Sequence, residues 1–591
     1  MRLLIILCLF ISASVFSQNG ILAKEYFKNG EYEKALHEYN KLYAKSPSNI
    51  NYINQIISSY QQLEQYDEAE KFLLKLMERI KYPAFIVELG YNFQLKNNIE
   101  KANENYQKAI AIIDENASHV FAVARSFQNH SLLDEATIAY EKAMLLNPDF
   151  NFNIQLAQIY GEQGHIEKMF SSYINLAESN PVILGDVKRA INDFISENSD
   201  NENNILFRKI LLKKIQQEPN LLWNQLLSWL FIQQKDFKKA FTQEKAIFKR
   251  QPESLDRVEE LALISVNENE SEIAKEIFNY IIETAQDSDT ILEAHQNLLQ
   301  LEIKESSKEY YPGINSKYLE LIKTFGTHAG TLNLQMAYAH FLAFYMNETD
   351  KATAFLEDTL KLPLTELQKA EVKLKLGDVL VLQEQFNKAL IYYTQIQRNL
   401  KNSTISQEAR YKVAQASYYK GDFKWAESQL KILKASTSQL IANDALNLKL
   451  LISDNKYEDS LQTALKLYSK ADLLAFQNRN DEAITVLDKI LSNHKTEPII
   501  AQALYKQAQL FELKLQFEKA QANYESIIAN YRDGILIDDA LFHLAEIYEK
   551  QLNLPEKAKV LYEQIIFNHA DSVYFIDARK RFRALRGDAM N

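Results

Sequence analysis

Few residues in this 591-residue chain have the types and spacing that chemistry needs. Gly326-Thr327-His328-Ala329-Gly330 has the outline of a nucleophile elbow, but its centre is His and no strand pattern precedes it. The ten His, His119, His130 and His165 among them, include no pair four residues apart, the spacing that sets two metal ligands on one helix face. A Gly-rich phosphate loop, His-Glu-x-x-His, Gly-x-Ser-x-Gly and calcium-loop spacing are all absent, and no acid pair stands out for glycoside chemistry. Asn116-Ala117-Ser118 and Asn347-Glu348-Thr349 match the glycan acceptor pattern, which an Asn-rich chain produces by chance. The one dense charge cluster is Arg579, Lys580, Arg581, Arg583 and Arg586. It reads first as a helix C-terminus complementing its own dipole, and alternatively as a docking patch for an acidic partner or anionic lipid head groups. The expectation is a protein that is not an enzyme and takes no cofactor, metal or small-molecule substrate.

The elements that position these residues repeat. Gly30-Glu31-Tyr32-Glu33-Lys34-Ala35-Leu36-His37-Glu38-Tyr39 is followed by Leu42 and Pro47, and Ala35 is echoed by Ala69, Ala102, Ala136 and Met169 at steps of 34, 33, 34 and 33. An aromatic or Leu follows each echo by four residues. In the preceding stretch a small residue has a large one three positions on: Ala23 with Tyr26, Ala124 with Phe127, Ala157 with Tyr160. Three or four residues apart is one helix face, so large side chains of one helix can enter space left by small ones of its partner. A fixed period of this length marks stacked helix pairs. Composition agrees, with 47% hydrophobic residues, 32 Tyr and 31 Phe but only 13 Gly and 10 Pro.

Taken in order, 1–17 reads as a signal peptide, 18–181 as five repeats, 182–222 as an irregular helical linker and 223–285 as two further repeats. Then come an irregular connector over 286–330, an array over 331–573 and a basic capping helix over 574–591. Within the linker the polar stretch Ser196 to Asn204 is the expected flexible point, and Tyr310-Tyr311-Pro312-Gly313 marks a break in the connector. In the later array the step lengthens: Ala352, Ala389 and Ala426 are 37 apart, as are Ala483 and Ala520, with 38 to Ala558.

The turn residue, small residue, aromatic and closing Pro resemble the tetratricopeptide repeat. That resemblance implies an all-α solenoid, a right-handed superhelix of antiparallel helix pairs that binds proteins. The region from about Gly377 to Gly587, with Asp538-Asp539-Ala540-Leu541-Phe542, Leu544-Ala545, Tyr548 and Ala578-Arg579-Lys580-Arg581, is similar to the repeats of outer-membrane assembly lipoproteins and Tol-associated periplasmic proteins. Family geometry puts the first helix of each pair on the groove, which implies a lining of Lys24, Phe27, Asn54, Ser58, Gln61, Tyr91, Gln94, Phe121, Arg125, Gln128 and Gln158. Such amide-rich walls suit an extended peptide backbone, with Tyr91 and Phe121 as anchors. The carboxylate clamp of chaperone-binding relatives is not expected, since Gly20 stands at one of its positions.

Arg2, the apolar run Leu3 to Ile11 and the small residues before Gln18 read as an export signal cleaved after Ser17. The sole cysteine, Cys8, lies in the apolar run, leaving a mature chain without disulfides or thiolate sites. Net charge is −11, or −12 once Arg2 is removed, which disfavours nucleic acid as a partner. Together these readings give an exported scaffold in the periplasm or at the periplasmic face of the outer membrane, with envelope proteins as partners and peripheral membrane contact as an option. The alternative is a two-armed regulatory or sensor protein hinged at the irregular segments.

Overall fold

The computed structural model describes residues 20–433, 438–455 and 462–588; the expected signal peptide lies outside them. Among the described residues the secondary structure is helical throughout, with no strand, and no helix is long and apolar enough to cross a membrane. The fold is an all-α solenoid: within each unit helices pack in pairs, as Ala84–Leu95 does on Ile99–Glu115, and in the regular stretches the second helix of a pair also touches the first helix of the pair that follows, as Tyr66–Arg79 touches Ala84–Leu95.

The turn inside each pair shows why the cassette repeats. Its Gly30 has φ 79°, and the residues at the matching point of the next four pairs, Glu64, Asn97, Ser131 and Gly164, share that left-handed conformation. One residue further on, the amides of Glu31, Gln65, Asn98, Leu132 and His165 donate to the carbonyls of Tyr26, Tyr60, Phe93, Phe127 and Tyr160 at 2.8–2.9 Å. This six-to-one closure satisfies the carbonyl of the large residue near the end of the first helix and reverses the chain in a few residues. The same turn recurs at Gly421 and Leu515, where Asp422 and Gln516 donate to Ser417 and Phe511.

Packing follows the small-to-large rule. Ala35, Ala69, Ala136, Ala389, Ala426, Ala483, Ala520 and Ala558 are fully buried. Sixteen residues after a small residue of the first helix stands a buried Tyr of the second: Ala23 and Tyr39, Gly90 and Tyr106, Ala124 and Tyr140, Gly377 and Tyr393, Ala508 and Tyr524. A methyl added at Gly90 would meet the Tyr106 ring at 2.6 Å, so the ring lies flush on the helix backbone. First helices are sandwiched and bury residues on more than one face, most fully in Ala84–Leu95, where eight of twelve are buried. Second helices bury one face; Tyr66–Arg79 buries Ala69, Leu73 and Leu76.

The chain divides into two compact units, 1–252 and 253–591. In the first, the stretch expected to be a flexible point is stitched instead. Asn204 is fully buried, its amide donating to the carbonyls of Ser196 at 2.7 Å and Asn198 at 2.8 Å while its oxygen accepts from the Ser196 amide at 3.2 Å. Saturating one buried amide side chain this way holds the connection between helices Leu184–Asn192 and Glu202–Gln217 in one path. In the second unit the anticipated break at Tyr310-Tyr311-Pro312-Gly313 is a helix start: Pro312 sits in the first turn of Tyr311–Phe325, where its missing N–H costs nothing. Over Ala352 to Ala426 the longer step goes with longer first helices, 17 and 16 residues in Glu366–Leu382 and Thr404–Tyr419 against 12 and 10 in Ala84–Leu95 and Val120–Asn129.

Candidate binding site

The first helices of the amino-terminal unit carry the groove positions, and the structure sorts them into two groups. Lys24, Phe121, Arg125 and Gln158 are exposed, and Phe27, Asn54 and Ser58 are partly so. Phe121 stands 57% exposed, edge-on to Phe150 and Phe152 at 5.5 and 5.4 Å, an apolar ledge open to solvent. The other group is engaged within the array. Gln94 and Gln128 each accept the hydroxyl of the buried Tyr of their own pair, Tyr106 and Tyr140, at 2.8 Å. Gln61 is buried, and Tyr91 stacks on the His130 imidazole at 3.8 Å between ring centres. A polar residue at a groove position therefore serves either packing or solvent, and sandwiching of the first helix decides which.

Behind Tyr91 lies a cluster that sequence reasoning missed. Ser126 Oγ donates to Glu88 Oε1 at 2.7 Å, and His130 Nε2 faces the same carboxylate at 3.0 Å, all three nearly buried. These are the residue types of an acyl-transfer triad in the wrong order. Both the hydroxyl and the imidazole end on Glu88, so the serine hydroxyl donates to the carboxylate and not to the imidazole that a triad would place against it, which makes the cluster an interhelix tie. The His-centred elbow resolves similarly. His328 caps the turn at Ala329–Thr331, its Nδ1 accepting from the Gly330 amide at 3.1 Å while Nε2 donates to the Phe325 carbonyl at 3.1 Å. Among the described residues no group of His, Cys, Asp and Glu is placed to hold a metal ion.

At the carboxy-terminal helix Phe575–Arg586 the five cations divide. Arg581 pairs with Glu549 at 3.2 Å and Glu546 at 3.6 Å, and Arg583 and Arg586 both turn to Asp588. Arg579 and Lys580 remain exposed. Three of the cluster's charges are thus matched within the chain, and two point outward.

A recess lies elsewhere, in the second unit. Helices Gln439–Asn455 and Thr463–Phe476 both contact Thr404–Tyr419, and with Ile500–Leu513 they leave a recess of about 520 Å³. Its walls are Tyr411, Tyr419 and Phe476, with Asp444 at the rim and Asp472 deeper. Asp472 accepts the Tyr418 hydroxyl at 2.9 Å and pairs with Lys506 at 2.9 Å. Burial, with Asp444 and Asp472 nearby, pushes the Tyr411 hydroxyl up to about 12, so it stays protonated. The signal in the sequence was the break in step: Ala426 to Ala483 is 57 residues where 37 was the rule.

Known proteins add the following. The family model described as Tetratricopeptide repeat matches residues 502–534 and 539–572. Those spans overlie helices Ile500–Leu513 with Phe517–Asn530, and Ile537–Glu546 with Pro555–Asn568. No curated protein matches the chain. Among solved structures, one titled "Structure of Naa15/Naa10 bound to HypK-THB" aligns over 97% of this chain and 94% of that chain, with 12% identity and a TM-score of 0.28.

Proposed function

We propose that this chain is an exported scaffold of the bacterial cell envelope, which holds partner proteins on its helix-pair arrays and catalyses no reaction. The observation that carries the reading is the array itself, an all-α solenoid with tetratricopeptide repeats at 502–572, a repeat type that generally mediates contacts between proteins. The exposed ledge of Phe121 with Arg125 and Gln158 beside it offers an apolar anchor and adaptable polar groups, the combination that peptide-binding surfaces use. Export rests on the pattern over 1–17, and the envelope setting on the likeness of the later repeats to outer-membrane assembly and Tol-associated proteins.

In-cell crosslinking of the tagged chain, after fractionation of the cell envelope, tests both halves. One or a few reproducible envelope proteins in the crosslinked set support the scaffold. A chain that stays in the cytoplasm, or that captures nothing above background, overturns it.

A further inference from the structure

We infer that the recess around Asp472 is a specificity pocket for a basic side chain, lysine or arginine, on a partner polypeptide. The inference rests on the scaffold reading for its macromolecular partner but draws its chemistry from the pocket alone. Two carboxylates, Asp444 and Asp472, face one ammonium, Lys506, so the walls carry an excess of one negative charge. Lys506 and Tyr418 satisfy Asp472 in place and fix its orientation, whereas Asp444 is exposed with no hydrogen-bond or ion-pair partner among the described residues. That leaves one anion at the mouth without a counterion.

The remaining wall is aromatic. Tyr419 lies against Phe476 with ring centres 6.0 Å apart and against Tyr418 at 5.6 Å, and Tyr411 completes the lining. Ring faces carry negative quadrupole density and attract a cation that has shed part of its water, most strongly where the site is recessed. The apolar stem of lysine or arginine suits the same rings while its head reaches the carboxylates. A volume of about 520 Å³ admits one long side chain, with room left for the chain that bears it. An acidic or purely apolar side chain would meet uncompensated Asp444 or leave it desolvated and unpaired. The pocket occurs where the array breaks step. There two helices lean on one, so a recess opens that the regular pairs close with Tyr against Ala or Gly.

The test uses the full chain and labelled pentapeptides Gly-Ser-Xaa-Ser-Gly, with Xaa arginine, lysine, norleucine or glutamate, read by fluorescence anisotropy. The arginine and lysine peptides should bind at least roughly tenfold more tightly than the norleucine peptide, and the glutamate peptide least of all. Asp444→Asn, at an exposed position, should leave thermal melting unchanged and remove most of that preference. Tyr411→Leu should weaken both basic peptides, and high salt should do the same. Equal binding of norleucine and arginine peptides, or an Asp444→Asn chain with undiminished preference, overturns the pocket assignment. The two readings fail separately. A chain that crosslinks envelope proteins while showing no basic preference keeps the scaffold and loses the pocket. A chain that prefers basic peptides yet captures no protein in cells keeps the pocket's chemistry and loses the scaffold.

Discussion

Asn478 donates its side-chain amide to the main-chain carbonyl of Phe344, 134 positions earlier, at 3.2 Å. Beside it, Gln477 donates to the Leu382 carbonyl at 2.9 Å, and the ring of Phe476 meets Phe344 edge-on at 5.5 Å. Solenoid repeats ordinarily contact only their neighbours. Here the end of helix Thr463–Phe476 closes onto the ends of two much earlier first helices within the second unit, Leu332–Phe344 and Glu366–Leu382. This clasp ties the irregular stretch between Ala426 and Ala483 back to the array, and one wall of the recess, Phe476, is part of it.

Asn478→Gly isolates the clasp, because Asn478 has φ 58° and glycine keeps that conformation without strain. Loss of one partly exposed hydrogen bond should cost about 1 kcal/mol. The effect should be local, with faster amide hydrogen exchange at the end of Leu332–Phe344 and no change in the first unit. Exchange unchanged at Phe344 and its neighbours would show that the contact contributes nothing.

Glycines under the tyrosine rings give a prediction of opposite sign to intuition. In a helix, Gly→Ala usually gains up to about 1 kcal/mol. At Gly90 and Gly377 the added methyl would collide with Tyr106 and Tyr393, whose rings are buried, so overpacking of about 1–3 kcal/mol should win and each variant should melt lower. Leu515→Gly should do the reverse. Leu515 is 75% exposed and left-handed at φ 56°, so relief of strain outweighs the little burial lost, and melting should hold or rise.

Acid should weaken the second unit through His340. Burial, reinforced by nearby Lys375 and opposed by Asp378, lowers its pKa from 6.5 to about 4, and its ring stacks on Phe344 at 4.3 Å. The folded state thus favours the neutral ring, a contribution complete above pH 6.5 and lost as pH falls toward about 4. Between pH 7 and 5 the chain should lose on the order of 2 kcal/mol from this group, with His295, also lowered by burial, adding in the same direction. Urea denaturation at the two values should show a smaller loss for His340→Gln. An identical loss would assign the acid sensitivity to other groups.

Gln128→Ala looks innocuous on the polar face of a helical wheel, where a surface change would stay within about 0.5 kcal/mol. Because Gln128 accepts the Tyr140 hydroxyl, its removal should cost about 1 kcal/mol, and Tyr140→Phe combined with it should add little. A double-mutant cycle in thermal melting measures the coupling directly; additive losses would contradict the pairing.

The repeat was legible because its determinants are local. Ala35, Tyr39 and Gly30 define a buried small residue, its large neighbour and a left-handed turn within ten positions. Position sixteen of the same logic, Gly90 beneath Tyr106, needed the second helix to be folded back before it had meaning. What stayed hidden depends on distance or on competition between partners. Asn204 reads as loop polarity until its amide is seen saturating Ser196 and Asn198, and Gln94 reads as groove until the Tyr106 hydroxyl reaches it. The recess was visible only as a missing repeat, since Tyr411 and Asp472 lie 61 positions apart and meet through an exception to the period.

If the array is a scaffold, its exposed first-helix positions hold another protein. A photo-crosslinking residue at Phe121, compared with one at Gln107 on the exposed face of a second helix, tests it in intact cells. A discrete, reproducible envelope adduct should form from position 121, be absent from position 107 and be lost with Arg125→Ala. Adducts that are equal at both positions, or none at position 121, would contradict it.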